Sequence, residues 1–292
     1  MSYGLFSGAM LNTYAIQELG AFVLPASILP TVKQLELMRD FKIDTVVSTL
    51  GYLLYLYEYM REHNINRKNL NLKRAIAAGE IYSDLLRSEI EQKLDIKVYD
   101  HYGLCEVNTG IAYECEKRDG LHILNDYVIP EIVDINTGTI MPNGEYGELV
   151  LTSLKKEASP IIRYRTGDIT CIKKEKCKCG NKEVRIDRIK ARIDDLLFIK
   201  GIKINPHELK DFILEDMSDK LYASDMKILV KKNTTNYRPC IKLSFKKESL
   251  YYKQNIEKKI KNAIGVNFDI IHVEPDFFDR EKNNKVKFIE FI

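Results

Sequence analysis

The sequence predicts an α/β fold that changes character twice, first into a small antiparallel β subdomain and then into a separate C-terminal α+β domain. Three observations carry this. From Leu35 onward, short β-branched runs alternate with stretches whose apolar residues recur at helical spacing, the pattern of helices laid on a sheet. Between His122 and Cys171, short extended segments are separated by Asn136-Thr137-Gly138 and Pro142-Asn143-Gly144, turn chemistry that joins hairpins rather than crossovers. After Arg192 the signals become mixed again, starting from Asn205-Pro206-His207-Glu208, which reads as a helix start with proline at the first helical position and a carboxylate three residues after the cap.

Taken in order, residues 41–49 form an apolar, β-branched run, and Leu53, Leu56, Tyr57 and Met60 then mark one face of a helix. Residues 74–78 read as a strand ending at Gly79-Glu80; Leu86, Ile90 and Leu94 line the next helix. Residues 96–99 read as a strand that delivers a tight Tyr102-Gly103 turn to its carboxyl end, where ligands bind in open α/β folds. Residues 226–230, 240–245 and 268–273 with a helix near 250–264 complete the last unit. The expected division is residues 1–192 for the large domain, with the β subdomain at about 122–192, and 193–292 for the small one.

The 292 residues are 45% hydrophobic and 30% charged, the composition of a soluble globular protein. The 45 basic and 42 acidic side chains are mixed along the chain for a net charge of +3, so neither nucleic acid nor a membrane is an expected partner. The lysine-rich stretches of the last hundred residues read as solvated faces. With no apolar leader at the N-terminus, the expected location is cytoplasmic. Six irregularly spaced cysteines point to metal binding or burial rather than to a disulfide framework.

Residues 100–168 carry the chemistry. Tyr102-Gly103 is followed by a carboxylate at Glu106, and Gly167-Asp168 offers a second acidic turn; a metal ligand beside a diol acceptor suits a nucleoside bearing phosphate. Tyr102-Gly103-Leu104-Cys105-Glu106, Ala77-Ala78-Gly79-Glu80, Tyr164-Arg165-Thr166-Gly167-Asp168 and the run from Arg188 to Asp195 together resemble the adenylate-forming superfamily, in particular its phenylacetate–CoA ligase branch, along nearly the whole chain. Each motif alone also reads as an ordinary turn or charged linker.

The resemblance implies that the first 192 residues are a remnant of the adenylation domain and that ATP, AMP, magnesium and CoA are ligands. It makes Glu106 a catalytic residue that holds magnesium across phosphate oxygens, and Tyr102 a platform for adenine beside Gly103. It gives Asp168 the two ribose hydroxyls, and Gly79 and Glu80 the adenine edge. Cys105 stands where the family carries threonine, and a thiol is a poorer donor to phosphate. Arg192 becomes a nucleotide contact, Asp194 the hinge of the small domain and Gly201 a bare-backbone passage for pantetheine, with Ala191 in place of the usual glycine. Tyr3-Gly4-Leu5-Phe6 resembles the acyl-pocket segment of aryl-CoA ligases, in which Tyr3 or Phe6 would pack on a flat ring; plain core packing is the alternative for both.

Cys115, His122, Cys177 and Cys179 supply four nitrogen and sulfur donors, enough to close a tetrahedral zinc site, and some members of the branch have matching positions. The family's adenylation lysine falls within Arg280-Glu281-Lys282-Asn283-Asn284-Lys285; Lys285 is the expected holder, with Asn284 one register away. In full-length relatives a Ser/Thr/Gly-rich phosphate loop lies upstream of Tyr3, so another polypeptide would supply that loop or the chain would be a fragment. On this reading the isolated chain makes no acyl-CoA. The function implied is AMP-forming ligation of an aromatic or other acyl carboxylate to CoA. The alternatives are a non-catalytic nucleotide- or acyl-binding partner subunit, and a coenzyme F390 synthetase-like adenylyltransferase.

Overall fold

The computed structural model describes residue 3 and residues 7–199, 201–217, 220–230, 238–278 and 289–291. The α/β class holds, and the chain divides into two compact units: Met1–Ile81 with Glu89–Ile193, and Tyr82–Ser88 with Asp194–Ile292. No helix among the described residues is long and apolar enough to cross a membrane.

α1 (Ser7–Glu18) and α2 (Thr31–Asp40) lead into β1 (Thr45–Ser48), α3 (Leu50–Glu62), β2 (Arg74–Ala78), α4 (Asp84–Leu94) and β3 (Lys97–Leu104), all in the first unit except the start of α4 up to Ser88. Then follow β4 (Asn108–Glu114), β5 (Leu121–Ile123), β6 (Val128–Val133), β7 (Gly147–Ser153), β8 (Tyr164–Thr170), β9 (Arg185–Ile186) and β10 (Ala191–Arg192). Among the described residues, one sheet of six strands runs β1-β2-β3-β4-β5-β9 and a second of four runs β10-β8-β7-β6. The first is parallel through β1, β2 and β3 and antiparallel beyond β3; the second is antiparallel throughout.

Local chemistry explains the elements. Thr49 caps α3 by accepting from the Tyr52 N–H, and Leu50, Leu53, Leu54, Leu56 and Met60 form its buried face. Tyr57, expected on that face, is half-buried and lies under the Lys93 ammonium at 5.2 Å, the amphipathic placement a phenol favours. Ile111, Leu121, Ile123, Val128, Ile132, Leu149, Leu151 and Ile186 form one apolar core drawn from both sheets, against which Tyr102 and Tyr164 pack. That shared core is what brings β3 to β8.

In the second unit, β11 (Leu197–Ile199) and β12 (Ile202–Ile204) make a hairpin, followed by α5 (Pro206–Met217), β13 (Leu221–Val230), β14 (Cys240–Phe245), α6 (Leu250–Ile264), β15 (Asp269–His272) and β16 (Ile289–Phe291). Pro206 opens α5 and the Asn205 side-chain oxygen accepts from the His207 N–H at 3.0 Å, the cap geometry read from the sequence. The sheet runs β15-β14-β13-β16, with Ile241, Phe245, Ile256, Ile260 and Phe268 in its core.

Candidate nucleotide site and metal centre

The geometry around Tyr102 differs from a turn at a strand end. β3 continues through Leu104 and pairs with β4, with a register shift between Tyr102 and Leu104, and the chain reverses at residues 105–107. Gly103 therefore lies inside a hairpin, where a Cβ would stand 2.3 Å from the Thr109 carbonyl; only glycine allows the two backbones this approach. Cys105 and Glu106 are exposed at the hairpin tip, and the Lys156 ammonium donates to the Glu106 backbone carbonyl.

Asp168 is 3% exposed. Its Oδ2 accepts from the Tyr102 hydroxyl at 2.6 Å and its Oδ1 from Arg192 Nη1 at 2.9 Å. A buried carboxylate needs such partners, because losing water without them is costly. Burial beside this carboxylate holds the Tyr102 phenol well above its ordinary pKa, so it stays a donor at neutral pH. Arg192 reaches the acid because β10 pairs with β8 in the register Arg192 to Asp168.

A bulge presents Asp168. Glu148 pairs with Ile169 and Val150 with Arg165, so Thr166, Gly167 and Asp168 stand opposite the single residue Leu149. Gly167 takes φ of 75°, the left-handed region that favours glycine. Three bonds hold the loop: Thr166 Oγ1 donates to the Leu149 carbonyl at 2.9 Å and accepts from the Asp168 N–H at 3.0 Å, and the Gly167 N–H donates to Glu148 Oε1 at 3.1 Å. Glu148, 3% exposed, also receives Arg165 Nε at 2.6 Å. Sequence reasoning passed over Glu148; its signal was an acid directly before the apolar run Leu149-Val150-Leu151 in the strand Gly147–Ser153.

Around the remaining candidates, Gly79 is exposed with φ of 79°, and the Glu80 carboxylate accepts from the Gly51 N–H at 2.7 Å, within the first turn of α3. Tyr3 donates its N–H to Ser27 Oγ at 3.3 Å, and its hydroxyl lies 2.5 Å from Thr13 Oγ1. Asp194 lies in a 3-10 turn, Ile193–Asp195, and begins the main segment of the second unit. Gly201 is exposed between β11 and β12. Phe6, Asn284 and Lys285 fall outside the described residues.

The four metal candidates converge. The donor atoms of Cys115, His122, Cys177 and Cys179 all lie within 4.8 Å of one another, with Cys115 Sγ 3.6 Å from Cys177 Sγ and Cys179 Sγ 3.4 Å from His122 Nε2. Tetrahedral zinc with bonds of about 2.3 Å to sulfur and about 2.0–2.1 Å to nitrogen would set such pairs roughly 3.8 and 3.5 Å apart. The donors come from the end of β4, from β5 and from the loop before β9. Burial, with the Arg185 charge adding to it, pushes the His122 pKa down, leaving the neutral imidazole a ligand requires. The His122 ring also stacks against Tyr113, whose hydroxyl donates to Glu183 Oε2 at 2.8 Å.

No family model matches the chain. It is 40% identical over 215 residues to the phenylacetate-coenzyme A ligase of Pseudomonas putida, a match spanning 73% of this chain and 48% of that enzyme. The Thermus thermophilus enzyme of the same name is 36% identical over 214 residues, covering 73% and 48%. The chain thus spans about half the length of these relatives. Among solved structures, 2-hydroxyisobutyryl-CoA ligase in its postadenylation state superposes with a TM-score of 0.89 at 22% identity, over 100% of this chain and 64% of that one. A benzoate CoA ligase from Burkholderia xenovorans superposes at 0.60 with 14% identity, covering 85% and 51%.

Loss of the bulge's anchor is measurable. Glu148→Ala removes the acceptor for Arg165 and the Gly167 N–H, and should lower unfolding free energy by about 1.5–3 kcal/mol in urea melts. Glu148→Gln keeps an acceptor for the N–H and should lose less.

Proposed function

The chain is a homologue of the phenylacetate–coenzyme A ligases within the adenylate-forming family, and on that premise we propose that it serves the AMP-forming activation of a carboxylic acid and its transfer to CoA. In the first step a carboxylate oxygen bonds to the α-phosphorus of ATP and pyrophosphate leaves. In the second the CoA sulfur bonds to the acyl carbon, and AMP leaves with the electron pair of the broken C–O bond.

The observation that carries this reading is the buried Asp168 carboxylate, whose oxygens face Tyr102 and Arg192. A ribose diol entering there would donate two hydrogen bonds to an acid already fixed in place, and the ordering would cost little at the moment of binding. Gly79, Glu80, Tyr102 and Gly103 would line the adenine, and Cys105 the phosphate. Glu106, an exposed carboxylate at the hairpin tip, would hold magnesium, which would supply positive charge to the phosphate oxygens. Lys285 would neutralise charge between carboxylate and α-phosphate. Residues 193–292 would be the mobile domain that pivots at Asp194 and brings Gly201 to pantetheine; the start of the second unit's main segment at Asp194 supports that pivot. Tyr3 and Phe6 would face the acyl group. The phosphate loop would come from polypeptide other than the residues described.

Cys115, His122, Cys177 and Cys179 would hold a structural zinc ion. Four protein donors leave no open position, so this metal would tie β4 and β5 to the loop before β9 and take no part in the chemistry.

Calorimetry tests the nucleotide reading. AMP should bind the purified chain, and Asp168→Ala should weaken it by about 1.5–3 kcal/mol for each hydrogen bond lost; equal affinity in both proteins would sink the assignment. For the metal, elemental analysis of protein prepared without chelator should find about one zinc per chain. Cys177→Ser should lower the melting temperature and leave AMP affinity nearly unchanged, and protein that contains no zinc would count against the site.

A further inference from the structure

His122 is fully buried, and its ring has a neighbour on each side. Tyr113 of β4 pairs with it across one strand boundary and Arg185 of β9 across the other, so the three side chains share one face of the six-stranded sheet. The Tyr113 ring stacks on the imidazole, with centroids 5.8 Å and planes 29° apart. His122 Nε2 is the ring atom beside Cys179 Sγ, at 3.4 Å, which leaves Nδ1 to carry the proton of the neutral ring. Nδ1 is buried and has no hydrogen-bond partner among the described residues. A metal-binding histidine ordinarily donates this second N–H to a carboxylate or a carbonyl, and that bond fixes the ring. Here the orientation has to come from packing.

The tyrosine that packs on it is tied to the chain around Cys179. Its hydroxyl donates to Glu183 Oε2 at 2.8 Å and accepts from Asn181 Nδ2 at 3.1 Å. Asn181 Nδ2 also donates to Glu183 Oε2 at 2.8 Å, and Asn181 Oδ1 accepts from the Glu183 N–H at 2.9 Å. The three polar ends therefore close a ring of bonds that joins β4 to the loop before β9. Within that loop Gly180 takes φ of 88°, a left-handed turn that glycine makes without strain. The turn brings the Asn181 N–H back to Cys179 Sγ at 3.4 Å, which fixes where the sulfur points. Two of the four metal donors, His122 and Cys179, are thus held by one network.

We propose that Tyr113, Asn181 and Glu183 are positioning residues for the metal: Tyr113 orients the His122 imidazole by stacking on it, and the Asn181–Glu183 turn aims Cys179 through the Asn181 N–H. The inference rests on the zinc reading and adds to it what orients the ligands. Without the Tyr113 ring, the imidazole has neither a stacking partner nor a hydrogen bond at Nδ1 to hold its plane. Without the Asn181 side chain, the turn that carries Cys179 loses its bonds to both Tyr113 and Glu183. Partners that orient metal ligands in this way are worth about 10–100-fold in metal affinity. Cys115 and Cys177 keep their own places in either variant, so binding weakens without being abolished.

The test uses the zinc-loaded chain. Competition with a chromogenic chelator should show Tyr113→Leu and Asn181→Ala each weakening zinc binding by about 10–100-fold, whereas Tyr113→Phe, which keeps the ring, should lose less than Tyr113→Leu. Cobalt(II) in place of zinc gives visible bands that report the geometry around the ion. These should shift in Tyr113→Leu and in Asn181→Ala and stay in place in Tyr113→Phe. Asn181 lies in a loop, so its variant decides the matter if Tyr113→Leu folds poorly. Wild-type zinc affinity in both Tyr113→Leu and Asn181→Ala would overturn the proposal. So would weaker binding with unchanged cobalt bands, which marks a general loosening of the fold. Either result leaves the metal centre itself standing, whereas a wild-type chain that takes up neither zinc nor cobalt(II) removes the metal reading and this inference with it.

Discussion

A single buried carboxylate organises the first unit. Removing a charge from water costs several kcal/mol unless polar partners replace the solvent, and Asp168 receives its partners from two different directions. Tyr102 comes from β3 in the six-stranded sheet, and Arg192 comes from β10 in its own sheet. The two sheets therefore share an acid as well as an apolar core. The bulge that presents it depends in turn on a second buried acid, Glu148, whose oxygens take the Gly167 N–H and the Arg165 guanidinium. Two carboxylates on adjacent strands are tolerable because each has its own cation and its own N–H or hydroxyl donors.

The segment from β9 to β10 links this arrangement to the metal donors. Arg185 pairs with His122 across β9 and β5, and its guanidinium donates to Asp119 Oδ2 at 2.8 Å and to the Glu175 carbonyl at 2.6 Å. Three residues on, Arg188 forms an ion pair with Asp100 at 3.3 Å, and then Arg192 meets Asp168. A positive side chain thus stands beside the thiols at one end and beside Asp168 at the other. Against the opposing effect of burial, hydrogen bonds from the Cys179 N–H and the neighbouring thiols, with the Arg185 charge, hold the Cys177 thiol below its ordinary pKa, whereas burial holds Cys115 above its own; thiolate is the ligand form zinc requires.

The parts of this site that were legible in the sequence are those set by local chemistry. Gly167-Asp168 could be read through its resemblance to a family motif, since alone the pair also reads as a surface turn, and the cysteines because soft donors in this number have a chemistry of their own. The α5 start at Asn205-Pro206 was legible for the same local reason. What the sequence did not disclose depends on pairing between distant strands. Tyr102-Gly103 looked like a turn after residues 96–99, yet β3 runs on because β4 folds back on it, and only the 2.3 Å approach to Thr109 explains the glycine. Likewise His122 reads as the opening of the small β subdomain, but β5 joins the six-stranded sheet, and the four-stranded sheet begins with β6. Glu148 was hidden because the register that puts it opposite a three-residue bulge is a property of two strands together.

The distribution of burial separates the proposed nucleotide site into two halves with different physics. The nucleoside half is built from enclosed groups, Asp168 and Tyr102, whose interactions are little weakened by water or salt. The phosphate half, at Cys105 and Glu106, sits on an exposed hairpin tip, where a lone carboxylate interacts with charges through nearly bulk solvent and is worth little. A triphosphate with its magnesium needs several preorganised donors shielded from water, and the hairpin tip offers an acid, a thiol and a nearby lysine. On the proposed reading, the described residues would hold the part of a nucleotide that ATP and AMP share. Discrimination between the two has to come from groups that enclose the tip, and enclosing it would raise the effective strength of Glu106 without any change in Glu106 itself.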